Sequence, residues 1–195
     1  MPRAGLSRAV VVAEAARVAD EVGLERLTLA AVASRLGVRL PSLYKHIAGL
    51  EALQVHLAAA AGRELAAELS AATVGRSRTD ALLAMAHAYR AFALRRPGAY
   101  AATLRAPEDG DEEHQAAAMA VLQVVLSVLA GFGLEGEDAI DAVRGLRALL
   151  HGFVAIEAAG GFKLPQDLDR SYRRLVQTYA DTLSTWATTA SADAR

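Results

Sequence analysis

From Leu27 to Leu53 the chain reads LTLAAVASRLGVRLPSLYKHIAGLEAL, and Gly37 in the middle limits what can form there. Ahead of the glycine, Leu29, Val32, Ala33 and Leu36 recur at helical spacing behind Thr28, a residue suited to an N-cap. Glycine takes a positive φ without a Cβ clash, so this helix stops at Gly37 and the chain turns. Val38 then fills the corner. A second, short helix is predicted from near Leu40, with Pro41 early, where a missing N–H does no harm. Leu43 and Ile47, four apart, mark its buried face. Arg39, Ser42, Tyr44, Lys45 and His46 are left to point elsewhere.

Helix, glycine turn and short polar-faced helix make a helix-turn-helix, the unit that lays its second helix in the DNA major groove. A second helix of roughly eight residues would span about 12 Å at 1.5 Å per residue. The groove is about 12 Å wide. By position, Arg39, Leu40, Ser42 and Lys45 are the candidates for reading base edges. Arg39 or Lys45 could reach guanine O6 and N7, whereas Leu40 is restricted to apolar contact. Upstream, Arg3 and Arg8 are candidates for phosphate contact, or simply solvated charges.

The positions of Thr28, Ala33, Leu36, Gly37, Val38, Leu43, Tyr44, His46 and Leu50–Leu53 resemble the motif of the TetR family of bacterial repressors. Ala13–Ala16 and Val22–Gly23 extend the resemblance over about the first sixty residues. It implies that Tyr44 and His46 mostly bind phosphate and that Thr28 does so through its hydroxyl and the helix N-terminus; Pro41, early in the second helix, is also expected on the DNA-binding surface. Three positions depart from the pattern. Ile47 replaces an aromatic, Leu50 replaces the lysine that usually opens the fourth helix, and Ala30 stands where a charge is frequent. The last two remove possible phosphate contacts. Further on, YRAFALRRPGAY at 89–100 and LLHGFVAIEAAGGFKLP at 149–165 resemble the C-terminal domain of the WHG branch of that family. Leu149 or Leu150 takes the place of its tryptophan, so only His151 and Gly152 of that signature remain.

A chain of 195 residues can bury a sizeable core, and its alanine- and leucine-rich composition favours an all-α fold of about nine helices. The absence of cysteine excludes disulfides and thiolate metal sites. Residues 1–50 carry seven Arg/Lys against four Asp/Glu, and the rest fourteen against eighteen, which suits a DNA-reading head on an acidic body. No catalytic motif is present: there is no Gly-x-Ser-x-Gly, no phosphate-cradling glycine loop and no paired-carboxylate motif. Apart from the loop cluster around His114, none of His87, His114 and His151 falls into a recognisable ligand motif. The expectation is therefore a non-enzyme with no cofactor and no metal. No signal peptide is evident. The segment from Gln115 to Leu134 is uncharged and long enough to span a bilayer, but its flanks are acidic on both sides. It reads as the central helix of a bundle, which gives a protein with no membrane partner in the cytoplasm.

The division expected is a helix-turn-helix domain over residues 1–50, a linking helix over about 50–72, and a ligand-binding and dimerisation domain within 51–195. Thr79 should cap the next helix, and Arg95 and Arg96 should sit on its C-terminal dipole before Pro97-Gly98. Thr188–Arg195 reads as a frayed tail. Met85, Tyr89, Phe92, Tyr100, Met119, Gln123 and His151 are the candidates for lining a small-molecule pocket. The last two helices each carry a long apolar stripe, more than one helix pair needs. Leu146, Leu150, Leu175, Tyr179 and Leu183 are therefore expected at a homodimer interface, as the resemblance also implies. The expected function is a homodimeric regulator, a repressor released from a near-palindromic double-stranded DNA operator by an apolar small molecule. The alternative, supported by Ala30 and Leu50, is a helical small-molecule-binding protein whose head no longer binds DNA.

Overall fold

The computed structural model describes residues 5–193, with side chains as far as Trp186. Arg3 lies outside the described residues. Among those described there are nine α-helices, one 3₁₀ turn at Leu24–Arg26 and no strand. The helices are α1 (Arg8–Val22), α2 (Leu29–Leu36), α3 (Leu40–Leu43), α4 (Leu50–Thr73), α5 (Arg78–Arg95), α6 (Pro97–Ala102), α7 (Glu112–Ala130), α8 (Gly136–Ala158) and α9 (Leu168–Asp193). They group into two compact units. One comprises the chain up to Glu64 together with Arg95–Ala120; the other comprises Leu65–Leu94 and the chain from Val121. This is a grouping by packing, and it does not follow the division at residue 50 expected from the sequence. Both α4 and α7 run unbroken from one unit into the other.

In the first unit α1 begins at Ser7, whose Oγ accepts the Val10 N–H at 3.3 Å. It ends at Gly23 with φ +89°. Val11, Ala15 and Val18 pack with Leu27, Val32, Ala33, Leu43, Ile47, Leu53 and Leu57 into one core. Glu14 is buried and satisfied by Arg17 at 2.7 Å and Arg35 at 3.2 Å. Arg35 also grips both oxygens of Glu21, at 2.6 and 3.0 Å, so its charge is spent holding α2 against α1. That bond keeps the Glu21 carboxyl below its usual range.

Asp20 joins α6 to α1. Its Oδ1 accepts the backbone N–H groups of Gly98 and Ala99, both at 2.9 Å, and its Oδ2 accepts from Arg96 at 2.6 Å. Arg96 also donates to Glu64. Arg96 is therefore an ion-pair partner at the start of α6, and not a cation placed on the end of α5. Similarly, Thr79 lies one residue inside α5 and is not its cap.

The second unit is built on buried Leu69, Leu82, Met85, Phe92, Leu129, Leu146, Leu150, Val154, Tyr172, Val176 and Leu183. Two tyrosines of α9 donate to carbonyls of other helices, Tyr172 to Ala86 at 2.8 Å and Tyr179 to Ala142 at 2.7 Å. The second contact needs Gly145 beneath it, because a Cβ there would come within 2.7 Å of the Tyr179 hydroxyl. Arg90 donates to both oxygens of Glu157, at 2.6 and 2.7 Å, and to Asp169 at 2.6 Å. Its guanidinium lies 5.1 Å from the Tyr172 ring and 5.8 Å from that of Phe153. Asp167 Oδ1 accepts the Asp169 and Arg170 N–H groups, capping α9. That helix runs on to Asp193, through most of the stretch expected to fray.

His87 lies edge-on to Tyr172, with ring centroids 5.8 Å apart. Burial holds its pKa below the ordinary 6.5, and the Arg173 and Arg90 cations act in the same direction while Asp169 opposes them. In the unfolded chain the imidazole takes up its proton near its ordinary pKa; in the folded chain it resists. Stability is therefore full above about pH 6.5 and falls as the pH drops towards the lower folded value. Urea midpoints measured from pH 7 to 5 should show this decline, and His87→Gln should flatten it.

Two expectations are corrected by burial. The helix at 112–130 is long and apolar enough to cross a membrane, yet only 22% of its window is buried, so it is not enclosed on all sides. Apart from Met119, its outer stripe is small or polar, with Ala116, Ala120, Gln123, Ser127 and Ala130 exposed; alanine raises hydropathy without demanding burial. Leu146, Leu150 and Leu183 are 2%, 4% and 0% exposed in the single chain, so they belong to its own core and not to an interface. Leu175 and Tyr179 keep partly exposed surface. The periodic stripe marks a buried face, but it does not say whether the covering helix belongs to the same chain.

Candidate nucleic-acid interface

Thr28 caps α2 by accepting the Ala31 N–H at 3.1 Å, and Gly37 ends it in the left-handed region at φ +66°. The Val38 N–H then bonds back to the Ala33 carbonyl at 3.0 Å and closes the turn. Arg39 starts α3 with extended backbone. The regular helix covers only Leu40–Leu43, half the roughly eight residues expected. Its path continues as a turn, with the His46 and Ile47 N–H groups both bonded to the Leu43 carbonyl, at 2.8 and 2.9 Å.

Leu43 and Ile47, 0% and 3% exposed, anchor this segment from beneath. On its other side Arg39, Leu40, Pro41, Tyr44 and Lys45 are exposed, while Ser42 and His46 are half-buried. Tyr44, at 57%, is far more open than an aromatic serving only a core. Among the described residues neither Arg39 nor Lys45 is paired with a carboxylate. Two unpaired cations, a phenol, an imidazole and the Thr28 hydroxyl stand on one small helical scaffold. Such a surface can neutralise phosphates and present donors to guanine edges.

The candidate pocket residues are divided between the two units. Met85, Tyr89 and Phe92 are buried on α5 and His151 is half-buried on α8, all in the second unit. Tyr100 is buried in the first unit. Met119 and Gln123 are exposed on α7. Sequence reasoning missed the Asp20–Arg96 joint and the Arg90–Glu157 pair. Their partners lie 76 and 67 residues apart, and no local pattern links them.

Residues 82–179 match the tetracyclin repressor-like C-terminal domain. An uncharacterized HTH-type transcriptional regulator of Bacillus subtilis, YobS, is 36% identical over 178 residues, 91% of this chain and 93% of that protein. The chain belongs to the TetR family. A second uncharacterized HTH-type regulator, from Mycobacterium tuberculosis, is 39% identical over 158 residues, 80% of this chain and 72% of its own length. The TetR of Acinetobacter baumannii, solved as a Q116A variant with minocycline, shares the fold at TM-score 0.71 and 21% identity, covering 93% of this chain and 98% of that one. As a TetR-family member the chain is a DNA-binding transcriptional regulator with a helix-turn-helix head, and it is not an enzyme.

Proposed function

We propose that this TetR-family protein is a cytoplasmic homodimeric repressor, released from a near-palindromic operator by a small apolar molecule. The observation that carries this reading is the exposed, unpaired Arg39–Lys45 surface held on a buried Leu43–Ile47 base. Residues 1–50 act as the DNA-binding domain. In it Arg39, Leu40, Ser42 and Lys45 face bases, and Thr28, Pro41, Tyr44 and His46 hold register on the backbone. One short helix makes few contacts. Two heads about 34–36 Å apart gain affinity through effective concentration, which is the physical case for a dimer. Leu175 and Tyr179, which retain exposed surface on α9, belong to that interface. The effector site falls among Met85, Tyr89, Phe92 and His151; the complex of the A. baumannii relative with minocycline supports a small-molecule effector. An effector that prefers the DNA-released state by 1–3 kcal/mol would weaken operator binding roughly 5- to 150-fold.

The test is selection of bound fragments from a random DNA pool at low and moderate salt, with wild type and a Tyr44→Ala/Lys45→Ala variant. The wild type should enrich a near-palindrome with half-sites about one turn apart, and the variant should not. Enrichment of nothing by the wild type, together with no salt-dependent DNA affinity, would sink the reading.

A further inference from the structure

We propose that Leu40 reads the 5-methyl group of a thymine, so that each operator half-site carries one thymine selected by apolar contact alone. The inference rests on the DNA-reading role of the head and names what one residue of it recognises. Leu40 opens α3 and is 37% exposed, although Leu43, three residues later, is fully buried. It is absent from the partly buried apolar residues that pack on the head's core, where Leu29, Leu36 and Val38 are found. Leu40 therefore stands outside the head's buried core, with its outer side open to solvent. Pro41 beside it is also exposed and has no N–H, so the two form a continuous apolar surface at the start of the helix. The major groove presents hydrogen-bonding groups at every base pair, but only one kind of apolar group, the methyl on pyrimidine C5.

Charge separates Leu40 from the other exposed leucine of this region. Leu50 is equally open at 37%, but it lines a cleft with Glu51, Glu108, Asp111 and His56, where the one guanidinium, Arg105, is already paired with Glu51 and Glu108, so the cleft is no attractor of phosphate. Leu40 has Arg39 before it and Lys45 five residues on, neither of them paired with a carboxylate. Of the two, only Leu40 is carried by cations that would draw it to a polyanion.

The experiment uses a duplex recovered by the wild-type protein from a random pool, with each thymine replaced in turn by deoxyuridine. This removes the methyl and leaves every hydrogen-bonding group in place. Wild type is expected to lose about four-fold in affinity at one thymine position per half-site, and about fifteen-fold when both half-sites are substituted. Leu40→Ala should bind DNA with no penalty for deoxyuridine at that position, while Leu40→Met, which keeps an apolar tip, should retain the penalty. Indifference of wild type to every substitution overturns the proposal, and so does a penalty that survives in Leu40→Ala. A pool from which wild type recovers no sequence is a different failure, in which the DNA-reading role falls and the proposal falls with it.

Discussion

Gly98→Ala is expected to lower the melting temperature by about 6–12 °C, corresponding to roughly 3 kcal/mol in a chain of this size. A Cβ at Gly98 would lie 2.1 Å from the Ala19 carbonyl carbon, 2.3 Å from its oxygen and 2.4 Å from the Asp20 nitrogen. These are backbone atoms of α1, which cannot swing aside as a side-chain tip can. To make room α6 must lift off α1, and it then gives up the two N–H bonds to Asp20 as well. Calorimetry should show the loss, and weaker operator binding should accompany it, because α1 backs the reading helices. Gly152→Ala is the control. It lies inside α8 with nothing within 4 Å of the added methyl, so it should be neutral or slightly stabilising. Equal melting temperatures for wild type and Gly98→Ala would mean that α6 is not seated on α1 as described.

Arg90→Met is expected to destabilise the second unit by about 3 kcal/mol, because it leaves the Glu157 carboxylate buried without a cation. The two side chains are only 11% and 14% exposed, and their pairing uses both carboxylate oxygens. The same pairing raises the Arg90 pKa well above its ordinary value, so pH offers no route to breaking it from the arginine side. Removing both charges, as Arg90→Met/Glu157→Met, should recover most of the loss, since a well-packed apolar pair avoids the desolvation cost altogether. Asp169→Asn should change little, because that carboxylate stands 75% exposed. Denaturant midpoints of wild type, Arg90→Met, Glu157→Met and the double variant form a cycle; if the double variant is no more stable than Arg90→Met, the pair is not the source of the effect.

The head was legible because its signals are local. Thr28 as a cap, Gly37 at positive φ and the Leu43–Ile47 anchor each depend on residues within a few positions, and each stands where expected. The length of α3 was not legible. The polar face it presents persists through Tyr44, Lys45 and His46 whether the backbone is regular helix or a hydrogen-bonded turn.

Helix number and the positions of most helix ends follow from the chain alone, because periodicity, caps and breakers act over one or two turns. What each helix meets was decided only in three dimensions. Leu146, Leu150 and Leu183 looked available to a second subunit until burial assigned them to their own core. Arg96 looked like a dipole cation until Asp20 claimed it from 76 residues away. Periodicity states that a face must be covered, but it carries no information about what covers it. Pairing between distant residues depends on chain topology, which no local spacing encodes.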